Sequence, residues 1–76
     1  MQLTDFQKIH LIGIKGAGMT ALAELLVNQG REVTGSDTEE VFYTDAILAK
    51  YHIIPTVGFE ASHIPTDTEL IVYSTA

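Results

Sequence analysis

Three glycines, at positions 13, 16 and 18, have the spacing in this sequence that most directly indicates chemistry. They follow an apolar run that begins at Ile9, and they precede a helical pattern that ends before Gly30. Closely spaced glycines let backbone N–H groups approach an anion, and the start of a helix adds unpaired donors and partial positive charge. The stretch therefore predicts a phosphate-binding loop between a strand and a helix.

The dinucleotide-binding fingerprint G-x-G-x-x-G fits this loop imperfectly, because its middle glycine would fall at Lys15. A second predicted strand runs from Glu32 to Ser36 and leads into Asp37. Asp37 lies about 20 residues beyond Gly18, where such sites carry a ribose-binding carboxylate. Strand, helix, second strand and terminal acid thus occur in the order of a nucleotide site. The glycines alone are also explained by a tight strand-to-helix turn without a ligand.

Hydrophobic periodicity predicts the elements that position these residues. An apolar run over 9–14 predicts a buried strand, and apolar residues from Met19 to Val27 predict a helix that Gly30 ends. The rest of the chain predicts a short helix over 45–51, a third strand with Ile53, Ile54 and Val57 interrupted by Pro55, one helical turn over 60–63, and a fourth strand over 70–73.

These elements predict an α/β fold: a Rossmann-like three-layer domain with a parallel sheet of about four strands in the order 3-2-1-4. Ligands bind where the strand order reverses, at the carboxyl ends of strands one and four. The loop over 13–18 and residues 74–76 are therefore expected to face one crevice, with Asp37 beside them. Since strand four is the last predicted element, we expect a truncated domain.

The segments GIKGAGMTALAELL, GSD and VYSTA resemble the N-terminal domain of the Mur ligases. The resemblance runs from Ile9 to Ala76 and is closest to the members that join L-alanine to UDP-N-acetylmuramate. It implies that residues 1–76 are the UDP-sugar-binding portion of an ATP-dependent ligase of peptidoglycan precursor synthesis. ATP and Mg²⁺ would bind in the rest of the ligase chain, so we expect this chain to be inactive alone.

The resemblance also implies roles for particular residues. In the family, the glycine loop holds the pyrophosphate of the UDP-sugar, and residues closing the second and fourth strands hold the uridine part. The implied contacts to UDP-N-acetylmuramate are Gly13, Lys15, Gly16, Ala17, Gly18, Met19, Ser36, Asp37, Ser74, Thr75 and Ala76. Two residues depart from the common family pattern, because Lys15 replaces a glycine and Phe59 replaces a histidine. We expect no catalytic residue and no metal ligand in this chain.

Other conspicuous residues have structural explanations beside functional ones. Lys15 either contacts phosphate or is exposed to solvent, since its loop position faces the expected anion. Phe42 and Tyr43 can stack on a uracil, although we expect them to pack under the loop. His10 lies within the first strand, where we expect a buried, hydrogen-bonded histidine rather than a catalyst. The spacing of the remaining histidines suggests no shared metal.

Composition restricts the class of protein. The net charge of −6 opposes non-specific attraction to nucleic acid or anionic membranes. The chain has no cysteine, so disulfides and thiol chemistry are excluded. Apolar runs are too short to span a membrane, and the first residues lack the pattern of a signal peptide. We therefore expect a cytoplasmic protein that binds neither nucleic acid nor membrane.

Two other classes of function stay open at this point. One is an NAD-binding module of an oxidoreductase, which the glycine loop and Asp37 permit equally well. The other is a non-catalytic domain that senses a nucleotide, or a folding fragment without a ligand. Parallel titration with UDP-N-acetylmuramate and NAD separates these possibilities.

Overall fold

A computed structural model describes residues 5–74 of the chain. The elements follow the order predicted from the sequence. They are β1 (Lys8–Ile12), α1 (Ala17–Asn28), β2 (Glu32–Asp37), α2 (Tyr43–Lys50), β3 (Thr56–Val57), a 3₁₀ turn (Ala61–His63) and β4 (Leu70–Tyr73). Within this part of the chain, no helix is both long and apolar enough to cross a membrane.

The four strands form one parallel sheet in the order β3-β2-β1-β4. This confirms the predicted α/β fold class and strand order. β1 is central: Ile12 is paired with Ser36 of β2 on one side and with Tyr73 of β4 on the other. Right-handed crossovers place successive strands on one side of β1 and return the chain to its other side at β4. The carboxyl ends of β1, β2 and β4 therefore meet at one edge.

The hydrophobic core lies between the sheet and the two helices. β1 contributes alternate residues to it, as the two-residue period of a strand requires, and α1 contributes the face that carries Ala23 and Leu26. The buried apolar residues of this core are Ile9, Leu11, Ile14, Ala23, Leu26, Leu48 and Ile53. Because Ile14 lies in the turn just beyond β1, the core extends into the glycine loop.

His10 lies in the middle of β1 and is completely buried. Its Nδ1 is 2.8 Å from Thr34 Oγ1, and its Nε2 is 3.2 Å from Ser36 Oγ. Both ring nitrogens therefore have partners on β2. Burial lowers the pKa of His10 below its ordinary value, which favours the neutral ring. The expectation of a buried, hydrogen-bonded histidine is confirmed.

Several elements differ from their predicted bounds, and β1 ends at Ile12 rather than at residue 14 because the chain turns at Gly13. β3 contains only Thr56–Val57, whereas the apolar pattern placed Ile53 and Ile54 in it as well. Pro55 lacks a backbone N–H and restricts the residue before it, so pairing begins only after the proline. α2 begins at Tyr43 rather than at residue 45 and ends at Lys50. Its start is fixed by Asp45, whose Oδ2 accepts a 2.8 Å hydrogen bond from the N–H of Phe42.

Candidate ligand-binding crevice

A crevice of about 1010 Å³ opens at the carboxyl ends of β1, β2 and β4. It lies where the strand order reverses, the usual position of a ligand in an open α/β sheet. The glycine loop forms its floor and four aromatic side chains stand around its mouth. The lining residues are Ile12, Gly13, Lys15, Gly16, Ala17, Gly18, Met19, Asp37, Phe42, Tyr43, Phe59, Tyr73 and Ser74.

The glycine loop, residues 13–18, turns sharply away from β1. Gly13 has a φ of +81°, a left-handed conformation that favours glycine. The N–H groups of Gly13 and Ile14 donate to the carbonyl of Ser36 over 2.8 and 3.2 Å, and Gly16 N–H donates to Gly13 O over 3.1 Å. The end of β2 thus holds the first half of the loop.

Ile14 anchors this loop from below. Its side chain is fully buried and lies directly against Gly35 of β2. A Cβ at position 35 would stand 2.5 Å from Ile14 Cδ1, so only glycine fits opposite the isoleucine without a shift. The sequence alone indicates no role for Gly35, because a glycine within a strand does not show which side chain approaches it.

Two buried threonines hold the carbonyl groups of the loop. Thr20 Oγ1 donates to the carbonyl of Ile14 over 2.7 Å, and Thr44 Oγ1 donates to the carbonyl of Lys15 over 2.6 Å. Sequence reasoning missed both residues. Thr20 is close to the loop in sequence, but Thr44 belongs to another helix, and no local pattern indicates its contact.

The start of α1 faces the crevice with its backbone donors. Gly16 is the N-cap, and within residues 5–74 no side chain caps the helix. The first turn also contains no acidic residue. The N–H groups of a first helical turn have no intrahelical acceptor and carry partial positive charge. Ala17, Gly18 and Met19 therefore give the floor of the crevice the properties of an anion site.

Asp37 ends β2 beside this loop and is nearly buried. Its Oδ2 accepts a 2.8 Å hydrogen bond from the N–H of Lys15, and its Oδ1 accepts one of 2.7 Å from the N–H of Thr38. A carboxylate has about four lone-pair sites, so two acceptor positions are left for a ligand. Asp37 therefore organises the loop as well as lining the crevice.

Lys15 does not extend into solvent, so the solvent-exposed alternative for this residue is wrong. Its side chain is only 8 % exposed. The ammonium donates to the carbonyl of Glu40 over 2.6 Å and lies 3.2 Å from Asp45 Oδ1. It also stands 5.9 Å from the ring centroid of Phe42. The N–H of Phe42 and, to a smaller extent, Lys15 hold the pKa of Asp45 below its ordinary value, so this partner is charged at neutral pH.

Aromatic side chains form the mouth of the crevice. The expectation that Phe42 and Tyr43 pack under the loop is wrong, because the Phe42 ring is partly exposed and Tyr43 is 73 % exposed. Phe59 and Tyr73 are also exposed along the same lining. Exposed rings beside an anion site offer flat apolar surfaces on which a planar base can stack.

The structure brings most of the predicted contact residues together. The loop, Asp37 and Ser74 all line the crevice, although about 60 residues separate Gly13 from Ser74 in sequence. Ser36 does not, because its side chain is buried and its hydroxyl lies beside His10 Nε2, so the structure does not support a ligand contact there. Thr75 and Ala76 lie outside the described residues. Across residues 5–74, no group of three or more potential metal ligands is found.

Comparison with protein families matches residues 8–76 to the Mur ligase family, catalytic domain. The chain belongs to the Mur ligase family. The resemblance carried by the glycine loop and the strand ends is thereby confirmed. The match begins at the first residue of β1, so it includes the whole crevice and every element that builds it.

Individual relatives within the Mur ligase family agree with this assignment. The UDP-N-acetylmuramate--L-alanine ligase of Treponema pallidum (strain Nichols) is 46% identical over 69 residues, which cover 91% of this chain and 14% of the relative. The protein of that name from Streptococcus mutans is 48% identical over 63 residues, which cover 83% of this chain and 14% of that relative. The protein of that name from Desulfitobacterium hafniense is 44% identical over 69 residues, which cover 90% of this chain and 15% of that relative. This chain therefore spans about one seventh of the length of these relatives.

Proposed function

We propose that this chain is the UDP-N-acetylmuramate-binding N-terminal portion of an ATP-dependent ligase that joins L-alanine to that sugar nucleotide. The observation that carries the proposal is the crevice in which the uncapped start of α1 lies among aromatic rings. The names of the relatives supply the substrate. The product would be a peptidoglycan precursor, and the reaction would take place in the cytoplasm.

The glycine loop is suited to the pyrophosphate of the ligand. The chain carries a net charge of −6, so long-range attraction does not bring an anion to it. Local donors must hold the phosphates instead, and the first turn of α1 supplies them at Ala17, Gly18 and Met19. Gly16 and Gly18 leave room for phosphate oxygens to approach the backbone.

The uridine end of the ligand would lie beside the glycine loop, at the end of β2 and near the aromatic rings. The free acceptor positions of Asp37 would receive hydrogen bonds from ribose hydroxyls. The exposed rings of Phe42, Tyr43, Phe59 and Tyr73 would offer stacking surfaces to the base. Ser74, at the end of β4, would supply a further polar contact.

The chemical step is assigned to other parts of the ligase. A phosphate loop for ATP requires a lysine and a serine or threonine directly after its last glycine, whereas Gly18 is followed by Met19 and Thr20. ATP, with Mg²⁺, would activate the muramic acid carboxylate in other parts of the full-length ligase. The crevice contributes binding and orientation of the sugar nucleotide. We therefore expect the 76-residue chain to bind substrate without releasing phosphate from ATP.

Calorimetric titration of the chain with UDP-N-acetylmuramate, and in parallel with NAD, tests this proposal. We expect saturable binding of the UDP-sugar and markedly weaker binding of NAD. Tighter binding of NAD would instead assign the crevice to a dinucleotide. Absence of binding by either ligand to the folded chain would contradict a nucleotide site altogether.

A further inference from the structure

The segment after β2 carries two aromatic rings to the mouth of the crevice. Residues 38–42 form a loop without regular structure, and α2 begins only at Tyr43. Phe42 and Tyr43 nevertheless both line the crevice. Exposed rings on an irregular loop hold one orientation only if other contacts offset the entropy of fixing them.

Those contacts converge on Lys15 of the glycine loop. Its ammonium donates to the carbonyl of Glu40, two residues before Phe42, and lies 3.2 Å from the carboxylate of Asp45, three residues after it. The same ammonium lies 5.9 Å from the centroid of the Phe42 ring, within the range of a cation–π contact. One lysine therefore binds both flanks of the aromatic segment and faces its first ring.

The backbone of the same residue strengthens this connection. The carbonyl of Lys15 accepts the hydroxyl of Thr44 over 2.6 Å, and its N–H donates to Asp37 over 2.8 Å. Lys15 thus joins the glycine loop to the end of β2 and to the start of α2. Because its side chain is 8 % exposed, its ammonium is held mainly by these intrachain groups. Removal of the Asp45 carboxylate, whose side chain is 27 % exposed, would leave the nearly enclosed ammonium of Lys15 poorly compensated.

We propose that Lys15 is a positioning residue of the nucleotide site: it fixes Phe42 and Tyr43 against the glycine loop and so sets the affinity for the base end of the ligand. Its ammonium does not serve primarily as a phosphate contact. This inference rests on the proposed function, since it takes the ligand to be a UDP-sugar.

The experiment compares one ligand that has a base with one that has only phosphates. UDP-N-acetylmuramate and inorganic pyrophosphate are titrated into the chain and followed by NMR at the amides of Gly16 and Gly18. The variants are Lys15→Met, which keeps the apolar stem, Lys15→Arg, which keeps the charge, and Asp45→Asn, which keeps the lysine. Lys50→Met is the matched control, because Lys50 also lies over a ring, 6.0 Å from the Tyr51 centroid, but outside the crevice.

We expect Lys15→Met and Asp45→Asn to weaken UDP-N-acetylmuramate binding about five- to tenfold, the effect of losing a fixed stacking surface. Pyrophosphate binding should stay within about twofold of the parent chain, because the donors of α1 are unchanged. Lys15→Arg should restore most of the affinity, since a guanidinium can also bind a carboxylate and stack on a ring. Lys50→Met should bind both ligands like the parent chain.

Two results would overturn the inference while leaving the proposed function in place. An equal loss for both ligands in Lys15→Met would make the lysine a phosphate contact. Unchanged affinity for UDP-N-acetylmuramate in folded Lys15→Met or Asp45→Asn would show that the contacts of Lys15 do not position the rings. If the parent chain binds pyrophosphate but not UDP-N-acetylmuramate, the proposed function fails and the inference falls with it.

Discussion

The backbone N–H of Lys15 donates a 2.8 Å hydrogen bond to Asp37 Oδ2, so the acid that ends β2 helps to hold the glycine loop in place. The second oxygen of the same carboxylate accepts the N–H of Thr38. The residue expected to receive ribose hydroxyls is thus also a structural part of the site. Its replacement should change both stability and binding.

Asp37→Ala removes the acceptor of two backbone N–H groups. A hydrogen bond to a charged group contributes about 1.5–3 kcal/mol, and we expect a loss of roughly that size in the free energy of unfolding. Urea unfolding followed by circular dichroism measures it. Glu39→Ala is the control, because Glu39 is an exposed acid two residues away. Equal unfolding midpoints for the two variants would contradict the role of Asp37 in the loop.

Gly35→Ala should destabilise the fold through Ile14. The added methyl group would stand 2.5 Å from Ile14 Cδ1 and 2.7 Å from its Cβ, and the isoleucine is fully buried. Overpacking of a core costs about 1–3 kcal/mol in the free energy of unfolding. Gly18→Ala is the matched control, because a Cβ there meets no atom within 4 Å. If thermal unfolding shows that Gly35→Ala is as stable as Gly18→Ala, Ile14 does not pack against β2 as closely as described.

His10 should make stability depend on pH below neutrality. Burial lowers its pKa in the fold, so the unfolded chain takes up a proton near the ordinary pKa of 6.5 while the folded chain does not. The free energy of unfolding should therefore be fully retained above about pH 6.5 and should fall as the pH drops toward the lower pKa of the folded state. Unfolding in urea at about pH 7.5, 6.5 and 5.5 measures this dependence.

Histidine variants assign that dependence to one residue. His10→Gln should flatten the decline, whereas His52→Asn should retain it; His52 is exposed and has a φ of +61°, which asparagine tolerates. The pKa values of Asp45, Asp67 and Glu69 are all lowered from ordinary values of 3.8 to 4.5, so these acids titrate below this window. A decline unchanged in His10→Gln would show that another group causes it.

The order of the strands and the place of the crevice follow from local sequence patterns and from the handedness of crossovers. Gly30 ends α1 with a φ of +82°, as its position after the apolar stripe predicts. The fourth strand has its predicted bounds, because Leu70–Tyr73 is an uninterrupted apolar run. These features could be predicted because the spacing of apolar residues and glycines within one sequence is enough to indicate them.

Contacts between distant segments could not be predicted in this way. Apart from Asp37, the partners of Lys15 in the fold are Glu40, Thr44 and Asp45, and their positions depend on how α2 packs beside the loop. Ile53 is buried in the core although it lies outside β3, because burial there comes from packing and not from strand pairing. Periodicity identifies which residues are apolar, but it does not show which side chains meet.

Calorimetric titration of Gly18→Ala with UDP-N-acetylmuramate tests whether the glycine loop holds the pyrophosphate of a UDP-sugar. The variant should fold, since the added methyl group meets open space. Side chains in a helix tilt toward its N-terminus, so this methyl group would extend toward the proposed phosphate position. We predict binding about tenfold or more weaker than that of the parent chain. A folded Gly18→Ala that binds as tightly as the parent chain would show that the loop is only a structural turn.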